Sequence, residues 1–590
     1  IFGYEAHLST EDCSVCPPLR VRPAAGAAGA SRVPADAADR SCLVVGGGVV
    51  GITTAYFLAR RGFEVTLLER RRGPGEEASA VNAGWLRRSP VGPLSQLDTL
   101  GNVAKDQLLG LPFLTALRMW SSGLDFGLWA SLRDYCARMY SDEAHVAPEE
   151  NPASRWEQAA GAYDATFFVR WATLLTDHFR FAVVVAAQAF CEVWAAASSG
   201  EAAASDEAER AAALATLSAR SVDLLQQIVR EEGLVCSMRF KGQVCVQPAK
   251  AAFTPRYLPL GEGAEAWDGA RLAQEMPHAC AGGAARPALQ AFFRGEDGIG
   301  DCAAFTQQLA RVCRERYGVK FRYGADVREL QLDDLDGSGH LIHRVQCSDG
   351  RRYTASVFVL ANGAAAPSLC RAIVDRHCGT PRPVYLPVCG VRGYSLSLQA
   401  DAVPEEHVPT MLRLPCVAWE PSKVVLSAFA NPEGESLECV KFTGIAELPA
   451  DKPPNARCED ALRRKAAAAV PFLGAQIADA KVTSGLRPQS ADDMPIVSGT
   501  RSPNLFVNAG HGGYGWRLAC ASAELLAQLV DPPALPASGA EGEDWATAAR
   551  AFSLRRFCGW KLGRRAAPGA RDLPELAGAT GPEELVWSVR

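Results

Sequence analysis

The apolar positions fall first into a strand, helix, strand pattern. Cys42-Leu43-Val44-Val45 is a short unbroken apolar run, the composition of a parallel strand buried on both faces, and Gly46 to Gly51 follows as a glycine-rich turn. Ile52 to Arg61 carries apolar residues at helical spacing, Gly62 is placed to end that helix, and Phe63 to Leu68 is a second apolar run closing on Glu69. From about 100 to 235 the pattern is mostly helical, with leucines and valines three and four residues apart over Arg210 to Glu232 and an Ala-rich acidic stretch near 195 to 210 that reads as a surface insertion. Short β-branched runs then take over at 236 to 248 and 380 to 445, including Val384 to Val388, Tyr394 to Leu398 and Lys423 to Ala428, and predict an antiparallel sheet. Phe305 to Tyr317 reads as helix, Val357 to Leu360 and Leu505 to Asn508 as strands, and Trp516 onward as helix after a second glycine turn.

Composition adds exclusions. At 590 residues the chain has room for more than one domain, and its 48% hydrophobic and 22% charged residues with a net charge of -5 are ordinary for a globular protein. No basic stripe with interleaved aromatics points to nucleic acid; Arg70-Arg71-Arg72 reads as a solvated turn. The most apolar window, Phe181 to Ala197, is broken by Gln188 and Glu192 and falls short of a membrane span. Nineteen cysteines without regular spacing predict reduced thiols, and neither Cys13 with Cys16 nor His340 with His343 makes a metal site. The first 40 residues read as an appended segment, disordered or a targeting remnant, compatible with a cytoplasmic or organellar (including mitochondrial) location.

Gly46-x-Gly48-x-x-Gly51 between a strand and a helix, with Glu69 ending the next strand, predicts dinucleotide binding: Gly46 makes the tight turn, Gly48 admits a pyrophosphate, Gly51 allows close helix packing, and Glu69 accepts from a ribose. Both NAD and FAD use such a turn. The small-residue run Glu77 to Gly84 and the second glycine turn, Gly510 to Gly515 ahead of a helix, suggest one long cofactor held at both ends.

Val44–Gly84, Gly300-Asp301, Val391–Leu398, Ser484–Val497 and Asn504–Leu526 together resemble the FAD-dependent D-amino acid oxidase superfamily, and within it the bacterial-type D-amino acid dehydrogenases (small subunit). The resemblance covers roughly 41 to 530; the stretch from 90 to 210 is longer than in those enzymes and the tails have no counterpart. It implies an α/β fold in which a Rossmann-like FAD-binding domain (41–100, 286–378 and 481–532) interleaves with an α+β substrate domain (101–285 and 379–480) carrying a mixed or antiparallel sheet, between an N-terminal segment 1–40 and a C-terminal tail 533–590. It implies FAD held by Gly46, Gly48, Val49, Val50, Gly51, Glu69, Arg70, Ser79, Asn82, Ala83, Val327, Gly363, Gly510, His511, Gly512 and Gly513. Arg487 would grip a substrate carboxylate through its planar fork, and Tyr394 would add a hydroxyl. The implied reaction is oxidative deamination of a D-amino acid to the 2-oxo acid and ammonia by hydride transfer to flavin N5, with electrons passing to a quinone or oxygen and no catalytic base. A glycine- or sarcosine-type oxidase of the same superfamily and a flavoprotein scaffold without turnover are the alternatives.

Overall fold

A computed structural model describes residues 39–88, 202–248, 264–277, 289–333, 341–377, 386–419, 424–447, 453–532 and 547–557, with positions 379, 382 and 384. The N-terminal segment to 38, most of the expected insertion, the Phe181 to Ala197 window, His340 and the tail beyond 557 lie outside the described residues.

The first apolar run forms the strand Ser41–Val45, which pairs in parallel with Val357–Leu360 on one side and Glu64–Glu69 on the other. Its alternation is that of a strand covered twice: Cys42 and Val44 enter one core cluster, Leu43 and Val45 another. The complete sheet has six strands in the order Ile496–Gly499, Leu505–Ala509, Val357–Leu360, Ser41–Val45, Glu64–Glu69, Lys320–Tyr323, with only the first pairing antiparallel. The helices Val49–Arg60, Ala202–Glu232, Cys302–Tyr317 and Gly515–Val530 cover one face. A four-stranded sheet, built on Val327–Asp333 and Leu341–Cys347, covers the other.

A second, eight-stranded sheet runs Val482–Ser490, Val388–Gln399, Leu437–Glu447, Val424–Ala430, Cys416–Trp419, Gln243–Pro248, Leu289–Arg294, Ala264–Trp267. Its pairings are antiparallel except that of Cys416–Trp419 with Gln243–Pro248, so it is mixed, as expected. The helices Gly269–Glu275 and Ala456–Ala469 pack on it around a core containing Leu396, Phe442 and Leu462. Among the described positions of the expected strand over Val384 to Val388, only Val388 lies in a strand, and Pro387 just before it has no N–H to give to a ladder. No helix among the described residues is long and apolar enough to cross a membrane.

The C-terminal stretch 547–557 returns to the body. Ala548 and Phe552 enter the helix-covered core, and Leu554 enters the core on the opposite face of the six-stranded sheet. Arg556 makes a forked contact to the buried Asp492 at 2.6 and 2.9 Å and donates to the Met494 carbonyl at 2.9 Å.

Candidate functional site

The first glycine turn is shaped by what its missing side chains would strike. A Cβ on Gly46, whose φ is +111°, would lie 2.6 Å from the Ala361 carbonyl oxygen on the neighbouring strand, and one on Gly51 would lie 1.9 Å from the Gly46 carbonyl oxygen. Gly48 is the N-cap of the helix Val49–Arg60 and gives it no side-chain cap. Ser79 reaches over instead: its hydroxyl accepts from the Val49 N–H at 3.0 Å. The Glu69 carboxylate accepts from the Gly47 and Arg71 N–H groups, both at 2.6 Å, so the acidic residue braces the turn as well as facing the space beside it. Burial pushes its carboxyl above the ordinary carboxylate range, against the pull of those two donors. Arg70 pairs with Glu77 through a fork at 2.8 and 2.6 Å, tying this turn to the small-residue segment.

That segment is held from three directions. Lys441 donates to the Ala80 and Asn82 carbonyls at 3.3 Å, the Ser427 hydroxyl to the Ala83 carbonyl at 2.6 Å, and the Trp516 indole N–H to the Gly84 carbonyl at 3.3 Å. The Asn82 side chain accepts from the Gly84 N–H, closing a tight turn.

A cleft of about 750 Å³ joins these parts to the second glycine turn and to the eight-stranded sheet. Gly46, Gly48, Val49, Val50, Glu69, Arg70, Ser79, Asn82, Ala83, Val327, Gly363, His511, Gly512, Gly513, Arg487 and Tyr394 line it. Gly51 and Gly510 do not; a Cβ on either would meet only protein, so both serve the packing of the turns. The lining fits FAD. An open glycine edge stands at a helix start, an acid ends the adjacent strand, Val327 begins the strand Val327–Asp333, and a Cβ at Gly513 would meet nothing within 4 Å, leaving backbone open at the far end.

His511 is buried, with Nε2 3.1 Å from the Ser522 hydroxyl. Burial lowers its pKa to about 4, so the ring is neutral at physiological pH. Arg487 is half-buried in the cleft wall with no hydrogen-bond or ion-pair partner among the described residues; desolvation lowers its pKa, with Tyr514 the neighbour that opposes the fall. Tyr394 is placed otherwise than expected. Although it lines the cleft, its hydroxyl donates to Glu447 and accepts from the Asn455 N–H, which leaves the cleft with a packed ring rather than a free hydroxyl.

Sequence reasoning passed over Trp85, Arg87, Tyr514 and Arg517, which also line the cleft. Arg517 carried a usable signal: a cation in the first turn of a helix opposes the macrodipole, and an arginine there asks for a reason.

Curated D-amino acid dehydrogenases are similar to this chain. That of Methylobacterium radiotolerans is 29% identical over 500 residues, covering 83% of this chain and 95% of the relative, and that of Methylobacterium nodulans is 28% identical over 83% of this chain and 94% of the relative. Among solved structures, glycine oxidase from Geobacillus kaustophilus matches with a TM-score of 0.50 at 17% identity, over 84% of this chain and 95% of that one. L-proline dehydrogenase from P. horikoshii matches with a TM-score of 0.50 at 14% identity, over 83% and 93%. Both likenesses bear on the fold. Residues 41–166 and 172–529 match the family described as FAD dependent oxidoreductase (DAO), and with a cleft whose glycine turns and acidic strand end fit that cofactor, the chain belongs to this family of FAD-dependent oxidoreductases.

Proposed function

We propose that this chain oxidatively deaminates D-amino acids, giving the 2-oxo acid and ammonia and passing the electrons to a quinone or oxygen. The carrying observation is Arg487: a half-buried guanidinium that lines the cleft with no ion-pair partner among the described residues is suited to an anion, and its planar fork matches a carboxylate at two points. The D-amino acid dehydrogenases that align over most of the chain support the choice of substrate.

Bound FAD supplies the hydride acceptor, its N5. The chain's own residues do the rest by position. Gly46, Gly48, Val49 and Val50 with Ser79 would hold the pyrophosphate, Glu69 the adenosine ribose, Val327 and Gly363 the adenine side, and Asn82, Ala83 and His511 to Gly513 the flavin end. Arg487 would fix the α-carbon by its carboxylate, which replaces bimolecular encounter with a held geometry. Neutral His511, bonded to Ser522, shapes the second turn and keeps no proton to exchange in the neutral range. The substrate ammonium loses its proton to solvent before the α-hydrogen leaves as hydride, and water then hydrolyses the product imine, so the scheme asks for no protein base.

The test is an absorbance spectrum of the purified holoprotein, recorded anaerobically before and after D-alanine. Loss of the long-wavelength flavin band is expected. A band that no D-amino acid bleaches would sink this substrate class and leave the cofactor standing.

A further inference from the structure

The cleft holds a second guanidinium that a simple amino acid would leave unused. Arg517, in the first turn of the helix Gly515–Val530, is only 3% exposed, and its Nε and Nη2 are buried with no hydrogen-bond partner. It lines the cleft, with its guanidinium carbon 4.6 Å from the centre of the Tyr514 ring. Tyr514 is also the electrostatic neighbour of Arg487, so one aromatic residue is shared by both cations.

This placement is unfavourable twice over: the charge is stripped of water, and it sits at the positive end of a helix. Burial accordingly lowers the Arg517 pKa to about 10. A third cation adds to the cost. Arg87 is 8% exposed, stacks 4.7 Å over the Trp85 ring, and donates to the Gln243 side chain at 2.6 Å. Asp297 stands 4.0 Å from Arg87 and, with the more weakly coupled Asp493, is the acid that Arg517 feels. Asp297 thus stands against two cleft-lining cations, Arg87 and Arg517, and its own Oδ2 has no hydrogen bond.

Location indicates what the excess charge is for. Gln243 belongs to the eight-stranded sheet, and Cys245 and Ala418 of the same sheet line the cleft and pack against Trp85, on whose ring Arg87 stacks, whereas the Gly46 to Gly51 turn belongs to the other sheet. We infer that Arg517 and Arg87 form a second anion subsite for substrate, so that the preferred substrate is an amino acid whose side chain ends in a carboxylate. This rests on the deamination reading for the fate of the substrate, and on Arg517 for its choice.

The experiment compares anaerobic flavin reduction of the holoenzyme by D-glutamate and D-aspartate with D-glutamine, D-asparagine and D-alanine. The kcat/KM for the acids should exceed that for their amides by about 100-fold, the worth of a buried hydrogen bond between charged groups. Arg517→Met, with FAD content confirmed by absorbance, should bring that ratio close to one, and Arg517→Lys should restore part of it. Equal rates for acid and amide in the wild type would overturn the subsite. So would an equal loss for every substrate in Arg517→Met with a shifted flavin reduction potential, which would assign Arg517 to the cofactor. If no amino acid reduces the flavin, the deamination reading fails by itself, and succinate against butyrate, followed by perturbation of the flavin spectrum, decides the subsite. Tighter succinate binding lost in Arg517→Met supports it, and indifference between the two acids overturns it.

Discussion

The guanidinium of Arg487 occupies the space that a side chain at position 393 would need. A Cβ on Gly393 would lie 2.7 Å from Arg487 Nε and 2.8 Å from Nη2, and the two residues sit on adjacent antiparallel strands, Arg487 opposite Val391 and two places along from Gly393. The missing side chain therefore aims the arginine.

Gly393→Ala pushes against the end of a flexible side chain and not against backbone, so it should leave folding and FAD content intact while moving the guanidinium from the place where the proposed carboxylate grip is made. A shift on the order of 1 Å costs up to about 100-fold in kcat/KM. Steady-state kinetics beside Arg487→Ala check this: the alanine at 393 should recover no more than a small part of what Arg487→Ala loses, and wild-type kinetics in Gly393→Ala would refute the aiming role.

Gly51→Ala places its Cβ against the Gly46 carbonyl, which is backbone and cannot swing away. The turn must shift, at about 1–3 kcal/mol, and the proposed pyrophosphate cradle shifts with it. The purified variant should have a flavin-to-protein absorbance ratio well below wild type; an unchanged ratio counts against this turn as the cradle.

His511 makes stability depend on pH. Its pKa is lowered by burial to about 4 in the folded chain, against about 6.5 when unfolded. Above pH 6.5 both states are neutral and nothing is lost. As pH falls from 6.5 toward 4, the unfolded chain takes a proton that the folded chain refuses, and stability drains by about 3 kcal/mol in all. Denaturation of His511→Gln across that range should show a shallower loss than wild type, and parallel curves would remove His511 as the cause.

Arg556→Ala should destabilise the protein although it touches neither glycine turn. Asp492 is 3% exposed and would lose both guanidinium donors, a change worth about 3–5 kcal/mol for a broken buried pair. Thermal unfolding measures it; a melting temperature within a degree of wild type would mean that the C-terminal return contributes nothing.

The first strand, turn and helix were legible because every requirement is local. Val44 and Val45 bury by strand periodicity, and Gly46 and Gly51 are demanded by backbone atoms a few residues away or on the adjoining strand. That Arg487 faces the cleft agrees with where the family segment put it, while its role is a proposal. The placement of Tyr394 was not legible: a hydroxyl in an alternating strand looks free until Glu447 and Asn455 arrive from 53 and 61 residues downstream.

By itself the sequence determined the dinucleotide-type unit, its acidic partner Glu69, and the existence of a second glycine turn, since short-range sterics and the period of buried positions leave little choice there. Only the tertiary structure decided which of many arginines lose water and face the cleft. Trp516 bonds to Gly84 across 432 positions, and Arg87 meets Gln243 across 156. The charge of a guanidinium is written in the chain, but its cost and its use depend on which distant groups surround it, and chain folding alone brings those groups together.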